Sequence, residues 1–134
     1  MAMTDAIMIV DDNPDDIEIT QAVLEEIGRK EEVKAARDGL QALRNLREGK
    51  HLPRLILLDL KMPGMSGFDC LREIRADERL RKIPVIVVTS SSLESDRQKA
   101  HAAGANGFLL KDIDADRFGA SLKAAIATLV LTGL

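Results

Sequence analysis

Short apolar runs alternate with longer amphipathic stretches along the whole chain. Residues 6–10, 33–36, 55–58, 84–88 and 107–110 are apolar runs of strand length. Between them, apolar positions recurring every three to four residues predict helices near 14–27, 39–48, 67–76 and 93–103. A fifth helix is predicted from about Asp114. The runs at 55–58 and 84–88 are continuously apolar, as parallel strands covered by helices on both faces must be. Parallel neighbours need right-handed helical crossovers. The pattern therefore predicts an α/β fold with a doubly wound, five-stranded parallel sheet.

The boundaries carry physical punctuation. Asn13 suits an N-cap, Pro14 the first helical position, and Asp15 and Asp16 complement the positive end of the helix dipole. Ile17, Val23, Leu24 and Ile27 form the buried stripe of that helix, and Gly28 ends it. Asp38 and Gly39 open the second helix, Leu40, Leu43 and Leu46 give it an inner face, and Gly49 closes it. Ser66 and Asp69 have capping-box-like spacing, and Ser90, Ser91 and Ser92 are available to cap the fourth helix. In the last helix, Phe118, Leu122, Ala125, Ile126 and Leu129 share one side, which suits packing on the sheet. Ala120, Ala124, Ala127, Leu131 and Leu134 project from the other side, with no charged residue after Lys123. This second apolar face predicts a homodimer through the C-terminal helix; its alternative is a frayed apolar terminus.

Composition narrows the function classes. A chain of 134 residues with 46% hydrophobic content makes one core, so residues 1–134 are expected to be a single domain with no output domain. A net charge of −3 without a basic cluster argues against nucleic-acid binding. Residues 1–6 are too short and polar for a signal peptide, and no apolar run nears the roughly 20 residues of a membrane span. A cytoplasmic location away from membranes is expected. Cys70, the single cysteine, has no partner for a disulfide or a zinc site. His51 and His101 are expected at the surface.

In an open parallel sheet, ligands sit beyond the carboxyl ends of the strands. Asp11 and Asp12 follow the first strand, Asp59 the third, Thr89 with Ser90, Ser91 and Ser92 the fourth, and Lys111 the fifth. Three carboxylates on one edge repel one another unless a cation neutralises them. Mg²⁺ is the simplest choice, because the set offers oxygen ligands without His or Cys. An ammonium and a hydroxyl beside it could hold phosphoryl oxygens. Asp59 is the candidate nucleophile, since it ends the most apolar strand and precedes the turn Pro63-Gly64-Met65-Ser66-Gly67. Asp11 or Asp12 could instead be a helix cap, but Asn13 and Pro14 already hold those places.

Four segments together resemble the response-regulator receiver family over nearly the whole chain. They are Ile9-Val10-Asp11-Asp12-Asn13, Leu57-Leu58-Asp59-Leu60-Lys61-Met62-Pro63-Gly64-Met65-Ser66-Gly67, Val87-Val88-Thr89-Ser90, and Ala103-Gly104-Ala105-Asn106-Gly107-Phe108-Leu109-Leu110-Lys111. The resemblance implies a flavodoxin-like (βα)5 fold with strand order 2-1-3-4-5. It implies that Asp59 is the phospho-acceptor and that Asp11, Asp12, Asp59 and the Lys61 carbonyl bind Mg²⁺. Thr89 and Lys111 would contact the phosphoryl group, and Phe108 would turn inward as Thr89 moves. Lys61 and Ser91 would flank the path of the hydrolytic water. The implied partner is a sensor histidine kinase or a histidine phosphotransfer protein. The spacing from Asp59 through Ile74-Arg75-Ala76-Asp77 to Ile83-Pro84-Val85 is similar to stand-alone regulators paired with bacteriophytochrome kinases.

Two departures stand out. Asp112 replaces the proline that usually follows the lysine, often through a cis peptide, so the loop from Asp112 to Asp114 is expected to take another path. Phe108 lacks the hydroxyl of the tyrosine often found there, so any switch must work through packing. Two other functions fit the fold class. An aspartyl phosphatase would carry a second Asp two residues after the nucleophile, where this chain has Lys61. A flavodoxin-like electron carrier would need rings against a flavin, and the chain has no Trp, no Tyr and three Phe.

Overall fold

The computed structural model of the protein describes residues 6–29 and 31–131. Strands and helices alternate: β1 (Ile7–Val10), α1 (Pro14–Glu26), β2 (Val33–Ala36), α2 (Gly39–Glu48), β3 (Leu55–Leu58), α3 (Gly67–Ala76), β4 (Val85–Thr89), α4 (Glu94–Ala102), β5 (Gly107–Leu110) and α5 (Ala115–Leu131). The five strands form one parallel sheet in the order β2-β1-β3-β4-β5. The doubly wound flavodoxin-like fold is thus the one the apolar runs and the motifs anticipate. Small shifts occur at element ends. Ala6 and Pro84 lie outside β1 and β4, β4 extends to include Thr89, and α4 is one residue shorter at each end than expected.

Alternation of side chains along each strand feeds two separate cores. Ile7, Ile9, Leu55, Leu57, Ile86 and Val88 face α1 and α5, where Ile17, Val23, Leu24, Phe118, Leu122, Ile126 and Leu129 cover them. Met8, Val10, Ile56, Leu58 and Val85 face α2 and α3, packing on Leu43, Leu46, Leu71 and Ile74. Burying each such large side chain contributes about 1.5–3 kcal/mol. These two cores clamp β1, β3 and β4, so the ends of those strands are rigid platforms for whatever follows them.

Local chemistry sets the helix ends. The Asn13 side chain accepts the backbone N–H groups of Asp15 and Asp16, with Pro14 in the first turn. Asp38 caps α2 through the Gln41 N–H, and Ser66 caps α3 through the Asp69 N–H. Two expectations need correction. Leu40 is 58% exposed rather than part of the inner face of α2, which consists of Gly39, Ala42, Leu43 and Leu46. One step along a helix turns a side chain by roughly 100°, and here that carries Leu40 off the buried stripe. The N-cap of α4 is Leu93, with no side-chain cap, so the serine run does not cap that helix. Ser91 turns its hydroxyl to Asp96 instead.

Candidate functional site

The sheet register assembles the site. Val10 lies opposite both Ala36 and Leu58. Main-chain bonds carry the ladder one residue further, from the Asp11 N–H to the Ala36 carbonyl (3.0 Å) and from the Asp59 N–H to the Val10 carbonyl (2.9 Å). On the other side of β3, the Lys111 N–H bonds to the Thr89 carbonyl at 2.8 Å. Asp11, Asp59 and Lys111 therefore leave their strands at one edge of the sheet, with backbones fixed by hydrogen bonds.

Carboxylate oxygens of Asp11, Asp12 and Asp59 all lie within 4.8 Å of one another. The Lys111 ammonium sits among acids, 2.9 Å from Asp11 Oδ2, 2.8 Å from Asp16 Oδ2 and 3.4 Å from Asp59 Oδ2. Three carboxylates thus share one ammonium. Asp59 is only 5% exposed. Burial pushes its carboxyl above the ordinary carboxylate value; the Lys111 ammonium opposes the rise and the Asp11 charge adds to it. Burial would lower Lys111, but hydrogen bonds to Asp16 and Asp11 and the Asp59 charge outweigh it, so its ammonium is held above its ordinary value.

The buried Asp59 Oδ1 has no hydrogen-bond partner. A buried carboxylate oxygen left bare beside two further carboxylates suits a hard divalent cation, and the donor set is all oxygen. The residues present therefore fit Mg²⁺ in chemistry and in charge.

The turn after Asp59 is shaped by glycines. Gly64 has a φ of +75°, a conformation that L side chains rarely adopt. A Cβ on Gly67 would lie 2.2 Å from the Asp59 carbonyl oxygen. The chain doubles back onto its own strand end here, and the Gly67 N–H bonds to the Leu60 carbonyl at 3.0 Å.

Comparison with known proteins agrees with this geometry. Residues 7–123 match the response regulator receiver domain. The chain belongs to the response regulator receiver family. It is 35% identical over 122 residues to the polar-differentiation response regulator DivK of Brucella ovis, covering 91% of this chain and 96% of DivK. The phosphorylated cyanobacterial phytochrome response regulator RcpA superposes with a TM-score of 0.84 at 32% identity, covering 98% of this chain and 97% of RcpA. The receiver domain of a Pseudomonas aeruginosa PAO1 sensor histidine kinase, solved with magnesium in its active site cleft, is 31% identical with a TM-score of 0.74. That match covers 92% of this chain and 98% of the other. Receivers are the switch modules of two-component signalling, and among the described residues no helix is long and apolar enough to cross a membrane.

The remaining candidate residues of this receiver surround the acidic cluster. Thr89 is fully buried, and its hydroxyl accepts the Ser91 N–H at 3.3 Å. Phe108 is half-buried, packs against the cluster of Leu60, Phe68, Val87 and Ala100, and also borders a groove beside α4. Lys61 extends its ammonium to Asp96 Oδ2 at 3.3 Å. Asp112, the residue in place of the usual proline, follows a trans peptide. Its carboxylate accepts the Asp114 N–H at 2.8 Å and an Arg117 N–H at 3.1 Å. The Asp114 bond, and then Arg117, hold it below the ordinary carboxylate range. An Asx turn rather than a proline thus shapes the lead into α5. The sequence pattern does not mark Asp16 and Asp96 as site residues. Asp16 suits the helix dipole, yet as a first-turn residue after β1 it also lies at the ligand edge of the sheet.

Proposed function

We propose that this receiver takes a phosphoryl group on Asp59 from a sensor histidine kinase or a histidine phosphotransfer protein, and signals through altered docking. The placement of the Lys111 ammonium against Asp59, beside the cluster of Asp11, Asp12 and Asp59, is the observation that supports this most directly. An Asp59 carboxylate oxygen attacks phosphorus, an O–P bond forms, and the bond from phosphorus to the donor nitrogen breaks, leaving the electron pair on the donor imidazole. A carboxylate nucleophile has no proton to lose as it attacks, so no general base is required. Lys111 turns from its carboxylates to the transferred oxygens, and the Thr89 hydroxyl leaves the Ser91 N–H to donate to another of them. Phe108 follows into the space Thr89 vacates, through packing alone, since it has no hydroxyl.

Asp11, Asp12, Asp59 and the Lys61 carbonyl would hold Mg²⁺, which when bound supplies charge neutralisation for the phosphoryl oxygens. Likeness to a magnesium-bound receiver and to a phosphorylated phytochrome response regulator supports both the ion and a bacteriophytochrome kinase as donor. Lys61 and Ser91, at the mouth of the site, set the lifetime of the phosphoryl group. The receiver's only chemistry is its own phosphorylation and dephosphorylation.

The receiver also pairs as a homodimer through α5. Phe118, Leu122, Ile126 and Leu129 are buried in the core, whereas Ala120, Ala124 and Ala127 are exposed on the other side of the helix. The side chain of Leu131 and all of Leu134 lie outside the described residues. Incubation with Mg²⁺ and acetyl phosphate tests the phospho-acceptor: wild type should gain one base-labile phosphate and Asp59→Asn none.

A further inference from the structure

Asp96 is a 9% exposed carboxylate in the first turn of α4 that takes no part in phosphoryl transfer as described above. Two groups from different loops meet on one of its oxygens. Ser91 Oγ donates to Asp96 Oδ2 at 2.5 Å, and Lys61 Nζ lies 3.3 Å from the same atom. The Ser91 hydroxyl also accepts the Leu93 N–H at 3.4 Å, and so ties the residue that opens α4 into the cluster. The loop after β3, the loop after β4 and the start of α4 are therefore clasped through a single carboxylate. Hydrogen bonding from Ser91, and then from Lys61, holds that carboxyl below its ordinary value, so it is a full anion at neutral pH.

Lys61 stands two residues beyond Asp59, at the same loop. Phosphorylation replaces the single negative charge of the Asp59 carboxylate with a phosphoryl group of greater charge and three acceptor oxygens. The Lys61 ammonium, more than half exposed and on a flexible stem, then has two anions within its range. We propose that Asp96 is a positioning residue that competes with the phosphoryl group for Lys61, so that phosphorylation opens the clasp and frees the first turn of α4. This rests on Asp59 being the phospho-acceptor. While Asp96 retains Lys61, the water path to phosphorus stays open. When Lys61 transfers to the phosphoryl oxygens, it covers that path and lengthens the lifetime of the acyl phosphate.

The experiment is the decay of base-labile phosphate after acetyl phosphate and Mg²⁺ are removed. Wild type, Asp96→Asn, Lys61→Met and the double variant are compared. Asp96→Asn should lengthen the lifetime about threefold, the worth of one partly exposed ion pair. It should have no effect in the Lys61→Met background, because the released partner is then gone. Equal decay in wild type and Asp96→Asn, or the same change in both backgrounds, would overturn the proposal. Amide resonances give a second readout that needs only Lys61→Met. Phosphorylation should shift Glu94, Ser95, Asp96 and Arg97 less in the variant than in wild type, the remainder coming from the movement of Thr89 and Phe108; equal shifts would also refute the clasp. Protein that takes no phosphate at Asp59 overturns both the phospho-acceptor and the clasp, whereas labelled Asp59 with unchanged decay overturns the clasp alone.

Discussion

The Lys111 ammonium lies 2.8 Å from Asp16, closer than its 3.4 Å to Asp59. The cation proposed to contact the phosphoryl oxygens is therefore held partly by a carboxylate from the first turn of α1. Asp16 competes with Asp59 for it. Replacing Asp16 with Asn should leave Lys111 to Asp11 and Asp59, and labelling by acetyl phosphate should run about threefold faster, as expected for one partly exposed ion pair. Initial labelling rates check this, and a slower variant would show that Asp16 instead holds Lys111 in its productive place.

Burial raises the carboxyl of Asp59 in the fold, so the sign of its pH effect follows directly. A group with a raised folded pKa gives full stability below its unfolded value of 3.8 and loses it as pH climbs through the raised folded value. In chelated buffer, Asp59→Asn should therefore become relatively more stable than wild type as pH rises over that window. The difference should grow until Asp59 is fully ionised and then stay constant. Urea unfolding at a series of pH values measures it. Added Mg²⁺ should shrink the difference, since only wild type retains the full carboxylate set.

Gly67 tests the geometry of the turn that follows the nucleophile. Its missing Cβ would overlap the Asp59 carbonyl oxygen, and the neighbouring atoms are backbone that cannot step aside. Gly67→Ala should cost about 3 kcal/mol and move Asp59 from its cluster. Gly28→Ala is a useful contrast. That residue meets nothing within 4 Å, and its φ of +87° should cost only about 1 kcal/mol. Equal losses for both variants would mean that the turn is not tightly folded on Asp59.

Exposed alanines on α5 bear on self-association. Ala124→Glu places a charge on the face opposite the buried stripe without touching the core. Sedimentation at micromolar concentration should show a dimeric wild type and a monomeric variant. A monomeric wild type, or an equally dimeric variant, would remove α5 from the interface.

Much of this architecture was legible because apolar periodicity and parallel topology act locally and then repeat. The all-apolar run Leu55–Leu58 has the length of a covered strand and recurs within a βα alternation, which puts Asp59 at the ligand edge of the sheet. Asp16 and Asp96 were hidden for a different reason. Each has a plausible local task, one near a helix dipole and the other on an apparently solvated helix. Their partners Lys111 and Lys61 are 95 and 35 residues away in sequence. Leu40 shows the limit of a stripe drawn on so short a helix, where one position's rotation separates core from solvent. The serine run after Thr89 suggested a cap, yet Ser91 found a stronger, charged acceptor in Asp96.

The proposed phosphoryl acceptor is Asp59. Treatment with acetyl phosphate and Mg²⁺, followed by borohydride reduction and peptide mass spectrometry, reads the site directly, because reduction converts an aspartyl phosphate into homoserine. Homoserine is expected at position 59 alone, and only when Mg²⁺ is present. Homoserine at Asp11 or Asp12, or an unmodified Asp59 in protein that has taken up phosphate, would contradict it.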